Sequence, residues 1–192
     1  MEEKKKSKNN NNKIVIAVAL CLIALIAAIL SILFSRKETR TTADTTESSV
    51  GALYCDSMDP EDPFFTAANV IRASHQLKII FADSKPDKLT YNYYGTFNAE
   101  GVADTARSVL HADYNNYLGA NGVDQEILHP TFDYDGSKVK VNLFAEIGSD
   151  LNVVTAKLFF LSHEDVNNIK KYTNEDLTKI YESKGFSCTF KE

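Results

Sequence analysis

An uninterrupted apolar segment near the amino terminus constrains this chain more than any other feature. Residues 14–34, from Ile14 to Phe34, read IVIAVALCLIALIAAILSILF and contain no charged residue, no Pro and no Gly. At about 1.5 Å of rise per residue, a helix of this length reaches roughly 30 Å, the thickness of the hydrocarbon core of a bilayer. Leu, Ile, Val and Phe each favour insertion by about 0.3–0.6 kcal/mol. The segment therefore predicts a single transmembrane helix.

A cleavable signal peptide and a lipoprotein signal are the two alternatives for this segment. A signal peptide has an apolar core of about 7–15 residues, followed by small residues at the cleavage site. Large side chains occupy that place in this chain: Leu30, Ile32, Leu33 and Phe34. A lipoprotein signal needs a small residue before the acylated cysteine, whereas Leu20 precedes Cys21. We therefore predict an uncleaved signal anchor.

Charged residues on the two sides of the segment predict its orientation. Five lysines precede it, namely Lys4, Lys5, Lys6, Lys8 and Lys13. Three basic residues follow it, namely Arg36, Lys37 and Arg40. Because Lys and Arg near the ends of a span favour the cytoplasmic side, we expect residues 1–13 to form a cytoplasmic tail. The rest of the chain then lies outside the cell membrane.

The segment after the predicted helix has the composition of a linker. Residues 35–52 read SRKETRTTADTTESSVGA, which is rich in Thr and Ser and nearly free of apolar residues. Such a stretch cannot bury enough apolar surface to offset the entropy lost on ordering, so we predict a flexible spacer. Residues 53–192 have the length of one domain and predict a single extracytoplasmic domain.

The charge of the predicted domain restricts its partners. Residues 53–192 contain 21 Asp and Glu against 13 Lys and Arg, a formal net charge of −8. A surface with this overall charge repels phosphate backbones. The sequence therefore excludes nucleic acid as a partner of the domain.

Hydrophobic periodicity and turn signals predict a mixed fold for residues 53–192. The predicted strands are residues 53–57, 76–82, 89–97, 127–134, 138–147 and 186–190. Pro86 favours a turn over residues 83–88, and Asp135-Gly136 is the strongest short hairpin signal in the chain. Residues 64–71 are ambiguous between helix and strand. Hairpins followed by helices predict an α+β fold, an antiparallel sheet with helices packed on one face.

The predicted helices begin at residues that favour helix capping. Asn98 is the expected N-cap of a helix over residues 99–118, and Gly119 is its expected end. The central apolar face of this helix is predicted to contain Val102, Ala106, Val109, Asp113 and Tyr117, with Ala103, Leu110 and Tyr114 beside it. Residues 149–161 predict a further helix. Capping signals at Ser162 and Thr173 predict helices over residues 166–172 and 177–184.

Two cysteines fall in the predicted domain, whereas Cys21 falls in the predicted membrane segment. Cys55 and Cys188 lie near the two ends of the domain, and an oxidising exterior permits them to pair. Such a disulfide closes a loop of about 133 residues and is worth on the order of 4–5 kcal/mol in the chain-entropy model. The alternative is two buried small hydrophobic residues. We favour the disulfide.

The residues that carry chemistry do not form a recognisable site. Asp133-Tyr134-Asp135-Gly136 opens like a calcium loop, but Gly is at the fourth position instead of the sixth and Phe144 stands where a bidentate Glu belongs. Cys188 has no sortase-like motif around it. The densest carboxylate cluster is read as solvated turn residues: Asp56, Asp59, Glu61 and Asp62. The four histidines have no metal-ligand spacing: His75, His111, His129 and His163. The sequence predicts no catalytic residue, no metal and no cofactor.

An aromatic strand contains the one candidate binding residue. Alternation over residues 89–97 puts Tyr91, Tyr93 and Phe97 on one face and Tyr94 on the other. Core packing explains the first set. Tyr94 is therefore predicted to be exposed and is a candidate residue of a binding surface. The alternative, which we favour, is that the aromatic strand serves only the packing of the fold.

The carboxyl-terminal layout resembles a known group of proteins. Residues 172–188 read YTNEDLTKIYESKGFSC and follow a predicted helix and two predicted hairpins. This layout is similar to that of small uncharacterised bacterial lipoproteins of the YehR type. The resemblance implies an extracytoplasmic α+β domain, and the present chain differs in its uncleaved anchor.

The leading interpretation is a single-pass membrane protein that displays an interaction module of the cell envelope and has no enzyme activity. The expected partner is a protein or another envelope component. The first alternative is an extracytoplasmic domain that binds a small molecule or a cation. An envelope hydrolase is the second alternative.

Overall fold

A six-stranded antiparallel sheet organises residues 51–61 and 63–192, the part of the chain that the computed structural model describes. The strand order across the sheet is β4-β5-β3-β2-β1-β6. The strands are β1 (Ala52–Ser57), β2 (Val70–Ala82), β3 (Lys85–Phe97), β4 (Thr131–Asp135), β5 (Lys138–Glu146) and β6 (Ser187–Lys191). The predicted tail, membrane segment 14–34 and most of the predicted linker lie outside the described residues and stay predictions. None of the helices in the described residues is long and apolar enough to cross a membrane.

One long helix lies between β3 and β4 in the chain, three short helices lie between β5 and β6, and the helices pack on one face of the sheet. They are α1 (Glu100–Ala120), α2 (Val153–Ala156), α3 (His163–Asn168) and α4 (Asn174–Glu182), with 3-10 turns at Lys157–Phe159 and Ile169–Lys171. The antiparallel α+β fold predicted from the sequence is confirmed. The capping signals of the last two helices are also confirmed, because the hydroxyls of Ser162 and Thr173 accept hydrogen bonds from the N3 backbone of α3 and α4.

Alternation along the strands separates a covered face from an open face. The face under the helices contains the core residues of each central strand, such as Leu77, Tyr91, Tyr93 and Val141, all with almost no exposed surface. Residues between them point to the other side of the sheet, where none is fully buried. We call this second side the open face. The prediction that Tyr91, Tyr93 and Phe97 share one face and Tyr94 lies on the other is confirmed.

The first hairpin is tighter than predicted. Strands β2 and β3 are joined at Asp83 and Ser84, whose φ angles of 50° and 61° are those of a two-residue hairpin turn. Pro86, predicted to lie in the turn, is instead a buried residue of β3 opposite Phe81. The chain accommodates this proline at a register irregularity between Ile80 and Phe81.

Helix α1 differs from its prediction at both ends. Its N-cap is Ala99, with no side-chain hydrogen bond, because Asn98 falls one residue too early. The helix continues through Gly119, and the glycine in the left-handed region is Gly122, with a φ of 68°. The buried face is also displaced from the predicted one, since Val109 is 48% exposed. The buried residues are Ala103, Ala106, Leu110, Tyr114 and Leu118.

Two other predicted elements are shorter in the structure. The strand predicted over residues 127–134 begins only at Thr131, because His129 has a φ of 46° and Pro130 follows it. The helix predicted over residues 149–161 begins after Asn152, which forms a capping box with Thr155. It tightens into a 3-10 turn and ends at Phe160, which has a φ of 60°. The hairpin at Asp135-Gly136 is confirmed, and Gly136 has a φ of 58°.

Candidate interaction surface

A row of polar side chains crosses the open face from one edge of the sheet to the other. Each strand contributes one residue, because the cross-strand register places them opposite one another. The polar row consists of Thr131, Asn142, Asn92, Gln76, Asp56 and Ser187. The Asn142 side-chain amide donates a hydrogen bond of 2.9 Å to Oδ1 of Asn92. The row thus presents amide, hydroxyl and carboxylate groups on a flat surface.

A tyrosine with two lysines lies on one side of the polar row. Tyr54 of β1 is opposite Lys78 of β2, and Lys191 of β6 is opposite Ala52, two residues along β1 from Tyr54. The Lys78 and Lys191 Nζ atoms are 5.4 and 5.0 Å from the centre of the Tyr54 ring, within the range of cation–π interactions. We call these three residues the Tyr54 site.

A second tyrosine with a lysine lies on the other side of the polar row. Tyr94 of β3 is opposite Lys140 of β5, whose Nζ atom is 5.9 Å from the centre of the ring. Tyr94 is 37% exposed. Tyr94 and Lys140, which we call the Tyr94 site, line a shallow hollow of about 260 Å³. Its other polar lining residues include Thr96, Lys138, Asp133 and Asp135.

The lysines of these two sites have no carboxylate partner in the part of the chain that the structure describes. The ion pairs found there join Lys88 to Glu146 and Arg107 to Asp104. Lys140 is opposite Asp133 in the register, but their charged atoms are not within 4.0 Å. The ammonium groups are therefore held by tyrosine rings and remain able to bind an anion.

The open face differs in charge from the domain as a whole. Six basic residues occupy it, namely Arg72, Lys78, Lys88, Lys138, Lys140 and Lys191. Four acidic residues occupy it, namely Asp56, Asp133, Asp135 and Glu146. Residues 53–192 carry a formal charge of −8, so the negative charge is concentrated away from this face. The net charge of the domain predicts that it repels phosphate groups, but this argument does not apply to the open face.

The structure places the two cysteines opposite each other on β1 and β6. The direct pairing of Cys55 with Cys188 across the two strands is compatible with the predicted disulfide. Cys55 is fully buried, and both side chains lie on the covered face. They are consequently separate from the polar row and from both tyrosine sites.

The titratable residues considered from the sequence do not converge. Within residues 51–61 and 63–192, no three His, Cys, Asp or Glu residues are grouped so that they could hold a metal ion. His111 packs against Phe132 at 4.7 Å between ring centres, and His129 lies 6.0 Å from Phe144. His163 is the first residue of α3. Asp133 and Asp135 are ordinary residues of β4.

His75 is the one histidine in the core. Its Nδ1 atom is 2.8 Å from the Tyr91 hydroxyl, and its side chain is buried. Burial lowers the pKa of His75 to about 4, although Asp59 opposes this shift. Burial also raises the pKa of Tyr91. The pair is therefore neutral near pH 7 and is a buried hydrogen-bonded contact of the core.

The Tyr54 site was not found from the sequence. Alternation in residues 53–57 places Tyr54 on the side opposite Leu53 and Cys55, which is a local signal. Lys78 and Lys191 come from distant parts of the chain, and only the strand order and register bring them to Tyr54.

The fold and the open face define an α+β domain with one exposed face of an antiparallel sheet. The NMR structure of the E. coli YehR protein is similar, at 14% identity over 70% of this chain and 92% of that chain, with a TM-score of 0.44. The NMR structure of a protein from Streptococcus pneumoniae TIGR4 is also similar, at 12% identity over 79% and 98% of the two chains, with a TM-score of 0.38. The weak YehR-type resemblance is confirmed, and it concerns the fold alone. No protein family and no curated protein sequence matches the chain.

Proposed function

We propose that this protein is a single-pass membrane protein whose extracytoplasmic domain is an interaction module of the cell envelope. The open face is its binding surface, and an acidic envelope component is its partner. The observation that carries this proposal is the set of lysines held on the rings of Tyr54 and Tyr94 without carboxylate partners.

The physical basis is preorganisation of positive charge. A lysine on a tyrosine ring is attracted by about 0.5–1 kcal/mol at an exposed site, and this attraction restricts its rotamers before a partner arrives. Because less side-chain entropy is then lost on binding, an anion that reaches Lys78 and Lys191 is bound more favourably. The negative charge on the side of the sheet that carries the helices weakens anion binding at the open face little, because at physiological salt charges are screened over about 8 Å.

The proposal includes no catalytic role for the domain. General acid–base catalysis needs a titratable group in reach of the substrate and a pKa suited to the operating pH. His75 is enclosed in the core, and its pKa of about 4 keeps it neutral near pH 7. Tyr54 and Lys78, by contrast, have the arrangement of a binding site.

Small-molecule binding is a second candidate function, and one cleft favours it. This cleft of about 450 Å³ lies between Glu61, Pro63 and Phe64 on one side and the segment around Phe160 on the other. Phe160 and Leu161 provide apolar walls, and Lys157 and Lys184 provide positive charge. A cleft of this size and lining is compatible with a small anionic ligand.

Site-specific photo-cross-linking in native membranes tests the proposed function. A photoreactive residue replaces Tyr94 on the open face or, as a matched control, Val153 on α2, since these residues are 37% and 40% exposed. We expect Tyr94 to give one defined adduct with an envelope component and Val153 to give none. Identical adducts at the two positions, or no adduct at Tyr94, would contradict the proposal. An adduct from a photoreactive residue at Lys157 alone would favour the small-molecule cleft.

A further inference from the structure

We infer that the acidic partner is an anionic polyol polymer, a chain of sugar or sugar-alcohol units that carries phosphate or carboxylate groups. The inference rests on the proposed function of the open face and names the chemistry of the partner. Two sites in which lysines lie over a tyrosine ring, one on each side of the polar row, form the structural basis of this inference.

The separation of the two sites indicates a polymer. Tyr54 and Tyr94 lie two strands apart across the sheet and four residues apart along it, because Tyr54 is in register with Lys78 and Thr90. With about 4.8 Å between strands and about 3.4 Å per residue, the two sites are roughly 17 Å apart. A single small anion cannot contact both, whereas an extended chain with repeated negative groups can.

The groups between the two sites indicate that the polymer carries hydroxyls. Gln76, Asn92 and Asn142 offer amide donors and acceptors in the middle of the polar row. Asp56 and, beside the Tyr94 site, Asp133 offer only acceptors when ionised. These carboxylates repel a partner made only of phosphate, but they bind hydroxyl groups. A chain that alternates anionic groups with hydroxyl groups satisfies both sets of side chains.

The open face is less suited to a lipid surface. Peripheral membrane binding combines basic residues with exposed apolar or aromatic side chains that enter the bilayer. Of the exposed large hydrophobic residues in the described part of the chain, Tyr94 lies on the open face and Ile71 lies at a register irregularity of β2 next to Arg72. Tyr134 is opposite Val139 of the covered face, Val109 and Val153 belong to helices, and Met58 follows β1. Phe144 is on the open face but half-buried. The lysines therefore have few apolar neighbours that could enter a bilayer.

The test is a binding measurement with the full-length protein in a neutral detergent. The probe is poly(glycerol phosphate), compared with dextran, polyphosphate, polyglutamate and vesicles that contain phosphatidylglycerol. We expect poly(glycerol phosphate) to bind at least tenfold more tightly than each of the other four. Equal or tighter binding of dextran, polyphosphate, polyglutamate or the vesicles overturns the inference, as does the absence of poly(glycerol phosphate) binding.

Two double variants with the same change in net charge locate the site. K78E/K191E reverses the lysines of the Tyr54 site, whereas K171E/K179E reverses two exposed lysines of the helix side. We expect K78E/K191E to weaken poly(glycerol phosphate) binding at least tenfold and K171E/K179E to weaken it less than twofold. Equal losses contradict the inference, because they reflect net charge alone. The thermal midpoint of each variant verifies that it is folded.

A substitution in the polar row separates hydroxyl recognition from charge. Gln76 is exposed at the centre of the row, so Gln76→Ala removes an amide without changing any charge. We expect about threefold weaker binding of poly(glycerol phosphate) and no change for polyphosphate. If the Tyr94 photo-adduct forms but poly(glycerol phosphate) does not bind, only the polymer inference fails. If no adduct forms at Tyr94, the proposed function itself fails.

Discussion

Cys55 and Cys188 face each other directly across β1 and β6, with their Cα atoms 4.1 Å apart. Among the strands of residues 51–61 and 63–192, β6 is at the edge of the sheet and pairs with β1 alone. A covalent bond at this pair therefore fastens an edge strand to the interior of the sheet. The same bond closes a loop with a sequence separation of 133 residues.

Loss of this bond is expected to destabilise the domain. A loop of this length corresponds to about 4–5 kcal/mol in the chain-entropy model, and about 1 kcal/mol shifts the thermal midpoint of a domain of this size by about 2–5 °C. We predict that Cys188→Ser lowers the thermal midpoint by several degrees or more. The matched control Ser187→Ala, at the next residue of β6, leaves it nearly unchanged. Non-reducing peptide mapping checks the bond itself, and labelling of both cysteines as free thiols in fresh membranes would exclude it.

Acidification is expected to destabilise the domain through His75. In the unfolded chain His75 has a pKa of 6.5, whereas in the folded protein burial lowers the pKa to about 4. Between these values the unfolded state binds a proton that the folded state does not, so the free energy of unfolding falls as the pH decreases from about 6.5 to about 4. The shift corresponds to about 3 kcal/mol. Urea denaturation at pH 7 and pH 4 should show a smaller decrease in His75→Gln than in the wild type, and equal decreases would refute this prediction.

The two carboxyl-terminal capping boxes are expected to differ in strength. Asp165 accepts hydrogen bonds from the backbone and hydroxyl of Ser162 and from the Tyr172 hydroxyl, and it is only 8% exposed. Asp176 makes the same contacts with Thr173 in a more exposed position. We predict that Asp165→Ala lowers the free energy of unfolding by about 1–2 kcal/mol, and that Asp176→Ala lowers it less. Chemical denaturation compares the two variants, and the reverse order would be inconsistent with this account.

The predicted membrane topology is open to a direct test. The lysines before the uncleaved apolar segment 14–34 predict a cytoplasmic amino terminus. Protease added to intact cells, after removal of any outer wall, should digest residues 53–192, while the mature protein keeps residues 1–13. Protection of the domain, or an amino terminus mapped beyond Phe34, would disprove the predicted topology.

Local sequence signals predicted the face of each strand but not the neighbours of its side chains. The exposure of Tyr94 follows from a period of two residues, which is a property of any single strand. The contact of Tyr54 with Lys78 and Lys191 depends on three strands and on their register. Local sequence does not predict such contacts, because the register in which strands pair is decided by the burial of the whole sheet.

In helix α1, too, local sequence predicts a helix but does not decide which of its faces is buried. Two neighbouring stripes of this helix contain apolar residues, one around Val109 and one around Leu110. The structure buries the second stripe because Tyr114 fits against Phe65 and Phe132, at 6.5 and 5.6 Å between ring centres. Those partners belong to segments whose position the sequence alone did not define.

The place of β1 in the sheet has a mechanical consequence. This strand directly follows Gly51 and hydrogen-bonds to β2 on one side and β6 on the other. In the proposed single-pass protein, a pull on residue 51 directed along β1 would load both rows of backbone hydrogen bonds in shear instead of breaking them one at a time. We expect high resistance to pulling at residue 51, which single-molecule force spectroscopy can measure. In the proposed single-pass protein, residue 51 is thus an attachment point that would resist such a pull while a partner is bound to the open face.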